Sequence, residues 1–432
     1  MDGFTDINGQ SPIGNLREDS GINSEEWVMM HMKINLSKQI MPKVLITFLL
    51  LLSIVLPLIP AHGVLGDSLD GDSFTLALIP DSQNEVQYDP SVWENEMQWI
   101  VNNKTEDNIQ AVIGEGDVTN DPTSTQMTEG QEGYNYIMSA GIPCIVDIGN
   151  HDYDTLNDYC NGSRVTTTFN AYFGTTWYRG ESCYKGSESN TINGPLQPNT
   201  ENSYFEISVG NYKYLIFALE YFPTPAAVAW AQGIINANPG YEVIVSTHAY
   251  LRPNSTLSQQ DSTDGPIDYG LANSDAGQEL WDDLINVNPS IIAVVSAHFI
   301  DGGYYATLNA QDNAGNWVAQ VFNNFQMLDS DGDGYLGLLT INPTKSQISF
   351  QDYSTSLGTY YSPPTIMKYN PLLSSDATLS NLAINAGTLT PSVVSRKQLY
   401  NQKSCLKLFG QTYARQKVWG QSWLQSGILQ WP

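Results

Sequence analysis

Five short apolar runs in this chain each end on side chains that can hold a metal ion or move a proton. FTLALIP (74–80) leads into Asp81-Ser82-Gln83, AVIGEG (111–116) into Asp117, and CIVDIG (144–149) into Asn150-His151-Asp152. EVIVST (242–247) leads into His248 and IIAVVSA (291–297) into His298. Of the five histidines in the chain, the three that lie beyond residue 63 all occupy such ends. Carboxylates, an amide oxygen and imidazoles together suit Mn²⁺, Fe²⁺ or Zn²⁺, whereas an all-oxygen set suits calcium. One carboxylate can bridge two ions about 3.5–4 Å apart, and such a pair acidifies a shared water and clamps phosphoryl oxygens. A histidine that is not a ligand can protonate the departing oxygen.

Side chains so far apart in sequence meet only if the apolar runs are neighbouring strands ending at one edge. The pattern supports this. Strands are expected at 74–80, 110–114, 142–148, 242–246 and 290–296, and Trp93, Met97, Ile100 and Val101 recur at helical spacing. Further helical patterns fall near 126–140, 225–237 and 276–287, and a hairpin over 203–220 turns at Gly210-Asn211. Strand–helix–strand alternation predicts an α/β fold with partly parallel sheets, which place their sites at the C-terminal ends of the strands.

The order Asp81, Gly116-Asp117, Gly149-Asn150-His151-Asp152, His248, Ala297-His298 resembles the calcineurin-like metallophosphoesterases, over roughly residues 73–356. The GNHD run, with GD 33 residues upstream, is the most specific part. The resemblance implies a four-layer α-β-β-α sandwich with two mixed sheets, spanning 73–366 and holding one or two divalent ions (Mn, Fe or Zn). By position, Asp117 bridges the ions, Asn150, His248 and His298 complete the second site, Asp81 ligates the first, and His151 is the general acid. The implied activity is hydrolysis of small phosphate mono- or diesters by a metal-activated hydroxide. Two departures affect the first site. The family's D-x-H is here Asp81-Ser82-Gln83, and its G-H-x-H is Ala297-His298-Phe299-Ile300. Exported relatives resemble this chain in carrying a D-x-Q opening. Gln83 is either a weak neutral ligand or a hydrogen-bonding neighbour, and Asp301 is a conceivable replacement ligand. A single tightly held ion is compatible with this sequence. The competing reading is a non-catalytic, metal-binding descendant that serves as a ligand- or surface-binding module.

The 432 residues carry 45 acidic and 18 basic side chains, a net charge of −27. Residues 64–395 alone stand at −31, which disfavours nucleic-acid binding by charge. Residues 1–63 read as an N-terminal extension and signal peptide: Lys33, Lys38 and Lys43 precede the apolar run 44–59, and Ala61-His62-Gly63 follows it. Sixteen apolar residues are short for a membrane span, which takes about 20. A secreted or cell-surface protein without a stable span is therefore expected, with its signal near 41–63. Residues 374–395 resemble the first strands of a cadherin-like β-sandwich, cut short. Residues 396–432 form a basic, acid-free tail unlike the rest of the chain. The spacing of Cys160 and Cys183 suits a disulfide, and Cys144 suits a buried thiol. Asp329–Gly334 imitates a calcium loop but lacks its closing glutamate, which points to a hairpin turn.

Overall fold

The computed structural model describes residues 72–155, 161–271 and 273–372. Fourteen strands build two mixed sheets. The first contains β1 (Phe74–Ile79), β2 (Ile109–Gly114), β3 (Cys144–Val146), β11 (Tyr335–Asn342), β12 (Gln347–Ser354), β13 (Thr359–Tyr360) and β14 (Thr365–Lys368). β1, β2 and β3 run parallel, and β11 joins β1 antiparallel. The second sheet contains β4 (Tyr184–Asn190), β5 (Gln197–Val209), β6 (Tyr212–Leu219), β7 (Glu242–Thr247), β8 (Ile291–Ser296), β9 (Tyr305–Gln311) and β10 (Trp317–Asn323). Its centre, β6-β7-β8-β10, is parallel throughout.

Alternation along the strands explains why two sheets stack. Phe74, Leu76 and Leu78 of β1 and Ala111 and Ile113 of β2 share one buried cluster with Ile216 of β6, Ile244 of β7, Val295 of β8 and Val321 of β10. That cluster lies between the sheets. The intervening residues, such as Ala77, Val112, Val243 and Val245, face the other way and pack with helices. Each fully buried Leu, Ile or Phe stabilises the fold by about 1.5–3 kcal/mol, so neither sheet face can be left wet.

The helices follow from the same logic. In α2 (Pro90–Asn103), Pro90 starts the helix, where its missing N–H costs nothing, and Trp93, Met97 and Ile100 form the buried stripe. α1 (Gln83–Tyr88) precedes it, and α3 (Ser124–Ser139) packs beside it, with Trp93 Nε1 donating to the Glu129 carbonyl at 3.2 Å. α4 (Thr167–Phe173) follows β3. On the second sheet, α5 (Pro225–Ala237) opens on a Thr224 cap, whose Oγ1 accepts from the Ala227 N–H at 3.3 Å. α6 (Gly277–Leu280) runs on into a wider turn at Trp281–Ile285. The result is helices, sheet, sheet, helices, the four-layer α/β arrangement expected.

Two expectations need correction. Asp329–Gly334 is not a hairpin turn: it carries the chain from β10 in one sheet to β11 in the other, with Ser330, Asp331 and Asp333 in left-handed backbone. Cys183 is a free, buried thiol and not half of a disulfide, while Cys160 lies outside the described residues. Cys144 is a buried thiol as expected. The signal segment 1–63, the β-sandwich resemblance at 374–395 and the basic tail 396–432 also lie outside the described residues. Among the described residues no helix is long and apolar enough to cross a membrane.

Candidate metal centre

The parallel strands β1, β2, β3, β7 and β8 all end at one edge of the stacked sheets, and β10 ends there too. Apolar side chains fill the space between the sheets up to Ile113, Ile145, Ile244, Val321 and Phe350. Two residues further along each strand, the same face becomes polar: Glu115, Asp147, Ser246, Asn323 and Asp352, all buried. Ser246 donates to Asp147 across the gap between the sheets. Burial pushes the Glu115, Asp147 and Asp352 carboxyls well above the ordinary range.

At these strand ends Asp117, His248 and His298 each offer a ligand atom, and those atoms all lie within 4.8 Å of one another. His248 Nδ1 donates to the Glu115 carbonyl at 2.7 Å. Since a carbonyl only accepts, the proton is on Nδ1 and Nε2 faces Asp117 Oδ2 at 3.2 Å. An outer hydrogen bond of this kind fixes the tautomer of a metal-binding imidazole. Asn150 Oδ1 is buried without a hydrogen-bond partner, and His248 Nε2 faces only the Asp117 carboxylate. Unpaired polar atoms in a dry site cost free energy unless something such as a cation satisfies them. Asp117 and His298 both sit at positive φ, 49° and 73°, strain that holds their side chains over the strand ends. A Cβ on Gly149 would come within 2.1 Å of Asp117 Oδ1 and one on Gly116 within 2.7 Å of His248 Nδ1, so glycine is required at both positions.

His151 stands beside this set and does not join it. Its N–H donates to Asp117 Oδ1 at 2.8 Å, and its Nδ1 donates to the Asn120 carbonyl at 2.8 Å, leaving Nε2 as the working nitrogen. Asp152 builds the loop that carries His151. It accepts from the N–H groups of Val118, Thr119 and Gly149 at 3.2, 2.9 and 3.0 Å and from Thr119 Oγ1 at 3.0 Å, tying the GD and GNHD turns together.

The charges are tightly balanced. Burial would push Asp117 up, but the His248 and His151 imidazoles outweigh it and hold the carboxyl well below the carboxylate range. Burial opposes the charge on His248, yet Asp117 and Asp81 raise it to about 10. His298 is pushed well down by burial and by His248. Without another cation, His248 is the positive charge that Asp117 needs.

Asp81 and Gln83 are placed differently. Asp81 Oδ1 accepts from the His298 N–H at 3.0 Å, and Oδ2 accepts from Asn324 Nδ2 at 2.9 Å and from Gln326 Nε2. Gln83 Nε2 donates to Gln326 Oε1 at 2.5 Å. Burial raises the Asp81 carboxyl to about 7, partly offset by His248. Ile300 is exposed, and Asp301, also exposed, pairs with Arg252 at 2.9 and 3.0 Å and points away from the set around Asp117.

The sequence reading overlooked Asn324 and Gln326. Their signal was present: VFNNFQ ends a sixth apolar run with polar side chains, as the other five do. It also overlooked Tyr221, whose hydroxyl lies 3.2 Å from His298 Nε2. Two insertions brace the Tyr221 segment. Arg164 bonds Glu220 at 2.8 Å and the Tyr221 and Phe222 carbonyls at 3.0 and 2.6 Å, and Tyr269 packs edge-on against the Tyr221 ring.

No family model matches this chain. A curated relative, the uncharacterized protein YvnB of Bacillus subtilis (strain 168), is 23% identical over 287 residues, which is 66% of this chain and 20% of the relative. The chain therefore spans about a fifth of that protein's length. Among solved structures, the purple acid phosphatase PPD1 from yellow lupin (Lupinus luteus) seeds aligns with a TM-score of 0.42 at 13% identity, over 70% of this chain and 55% of that one. GAP50, described as the anchor in the inner membrane complex of Plasmodium, aligns with a TM-score of 0.39 at 9% identity, over 70% and 90%.

Proposed function

We propose that this chain is an exported, metal-dependent hydrolase of phosphate mono- or diesters, built as the motif order of the calcineurin-like metallophosphoesterases suggests. The observation that carries the reading is the convergence of ligand atoms of Asp117, His248 and His298 within 4.8 Å, with Asn150 Oδ1 buried and unpartnered. One carboxylate, one amide oxygen and two imidazoles form a donor set suited to Mn²⁺, Fe²⁺ or Zn²⁺. A divalent ion in this position supplies Lewis acidity toward phosphoryl oxygens and lowers the pKa of water. His151, held through Nδ1 by the Asn120 carbonyl, presents Nε2 to protonate the departing ester oxygen. Asp152 keeps the His151 loop in register with Asp117, and the buried floor of Glu115, Asp147 and Asp352 excludes bulk water from below. The substrate approaches from the side on which His151 is partly exposed. Export rests on the cationic, apolar and small-residue succession at residues 33–63.

The test is turnover of a simple phosphodiester and a simple monoester by the Mn²⁺- or Zn²⁺-loaded chain, compared with Asn150→Ala. Loss of both bound metal and turnover in the variant is expected. Turnover indifferent to Asn150→Ala sinks the proposal. A stoichiometrically metallated protein inert toward every ester favours the non-catalytic metal-binding module, a reading to which the three hydrogen bonds accepted by Asp81 lend some support.

A further inference from the structure

Resting on the reading above, we infer that the centre holds one divalent ion per chain, and that the amides of Asn324 and Gln326 replace a first-site ion at Asp81. A carboxylate that serves as a ligand keeps at least one oxygen lone pair directed at the cation. Here three of the roughly four lone-pair sites of Asp81 are filled, one on Oδ1 by the His298 N–H and two on Oδ2 by the amides Asn324 Nδ2 and Gln326 Nε2, which leaves a single site on Oδ1. The amides are themselves held. The Gln326 N–H donates to Asn324 Oδ1 at 3.1 Å, Gln326 Oε1 accepts from Gln83 Nε2, and the Gln326 carbonyl accepts from Asn84 Nδ2 at 2.8 Å. This network spans α1 and the segment after β10, two elements 243 residues apart in the chain at their closest bond. It supplies hydrogen-bond donors where a cation would supply charge.

The remaining donors on this side do not assemble a second site. Gln83 Oε1 is buried and unpartnered, but it is one neutral oxygen. Ile300 has no donor, and Asp301 is paired with Arg252. Asp117 Oδ1 already accepts the His151 N–H. In contrast, the other side brings the unpartnered Asn150 Oδ1 together with the convergent Asp117, His248 and His298. Asp81 therefore acts as a positioning residue. By accepting the His298 N–H it fixes the left-handed backbone from which His298 reaches the ion.

The experiment is metal titration of the full chain with Mn²⁺, read as bound equivalents after equilibrium dialysis and as the electron paramagnetic resonance spectrum. About one equivalent with an isolated-ion spectrum is expected. Asp81→Asn keeps an oxygen for the His298 N–H, so it should leave the stoichiometry unchanged. Gln326→Glu sets a second carboxylate against Asp81 and should admit a second equivalent. Two equivalents with a spin-coupled spectrum in the unaltered chain, falling to one in Asp81→Asn, would overturn the inference and leave the proposed hydrolase intact. No bound Mn²⁺ in the folded, unaltered chain would overturn both. The result for the unaltered chain decides the matter even if a variant does not fold.

Discussion

At the residue scale, the centre is organised by which nitrogen of each histidine is already committed. His248 gives its Nδ1 proton to the Glu115 carbonyl and His151 gives its Nδ1 proton to the Asn120 carbonyl, so the two Nε2 atoms are the ones left for chemistry. The neighbouring carboxylates raise His248 to about 10, and an ion can bind only to the neutral ring. Protons and metal therefore compete. Metal affinity should rise with pH from 6 to 9 by roughly tenfold per unit, with about one proton released per ion at pH 7. Calorimetry in buffers of different ionisation enthalpy measures both, and an affinity flat across that range would contradict the assignment of Nε2 as a ligand. His151 is expected to matter only for departing groups that need a proton. His151→Asn should slow hydrolysis of an alkyl phosphate ester by about 10²–10⁴-fold, slow a nitrophenyl ester far less, and leave metal content unchanged. Equal losses on both esters would place His151 in binding and not in proton transfer.

At the element scale, the strand ends aim the ligands and the insertions hold the rim. Arg164, largely buried, ties the loop that leads into α4 to Glu220 and to the Tyr221 and Phe222 carbonyls at the end of β6. Removing one member of a buried ion pair leaves the other charge uncompensated, at about 3–5 kcal/mol. Arg164→Met should therefore destabilise the chain by about that much in urea unfolding. The double variant Arg164→Met, Glu220→Gln should lose clearly less, because no charge is then stranded. Equal losses in the single and double variants would show that Arg164 acts through its bonds to the carbonyls and not through its charge. The loop 329–334 teaches a related lesson. Its sequence looks like a turn between paired strands, and locally it is tight, but β10 and β11 belong to different sheets. Turn chemistry specifies a reversal of the chain, not which strand it then joins.

At the scale of the whole molecule, charge sets who can approach. Residues 64–395 carry −31, and a divalent ion at the strand ends reverses the sign only locally. On the proposed function, an anionic ester would meet a repulsive field before it reached an attractive site. Its kcat/KM should rise as ionic strength increases from about 10 to 200 mM, because salt screens the long-range field while the short-range site is little affected. Stopped-flow or steady-state assays at constant pH check this, and a falling kcat/KM would show that a positive path leads to the centre. Long nucleic acids should be poorer substrates than small esters for the same reason.

The sequence alone determined a good deal of this molecule. Apolar runs of strand length, separated by helical repeats, marked the sheet-forming strands β1, β2, β3, β7 and β8 and the helices α2, α3, α5 and α6 to within a few residues, because burial imposes those periods on the residues themselves. The polar residue after each run likewise marked Asp117, Asn150, His151, His248 and His298, since parallel strands place their ends together. What remained hidden depends on distance through space. Gln326 looks like any loop amide until β10 sets it against Asp81, 245 residues earlier in the chain. The polar floor of Glu115, Asp147, Asn323 and Asp352 draws on both sheets, and no local pattern says that their faces meet. Residue type and period are written locally, so the chain itself showed the polar side chains at the strand ends and the elements that carry them. Which lone pairs stay free depends on contacts between remote segments, and only the folded structure decided that Asp81 accepts three hydrogen bonds while Asn150 Oδ1 accepts none.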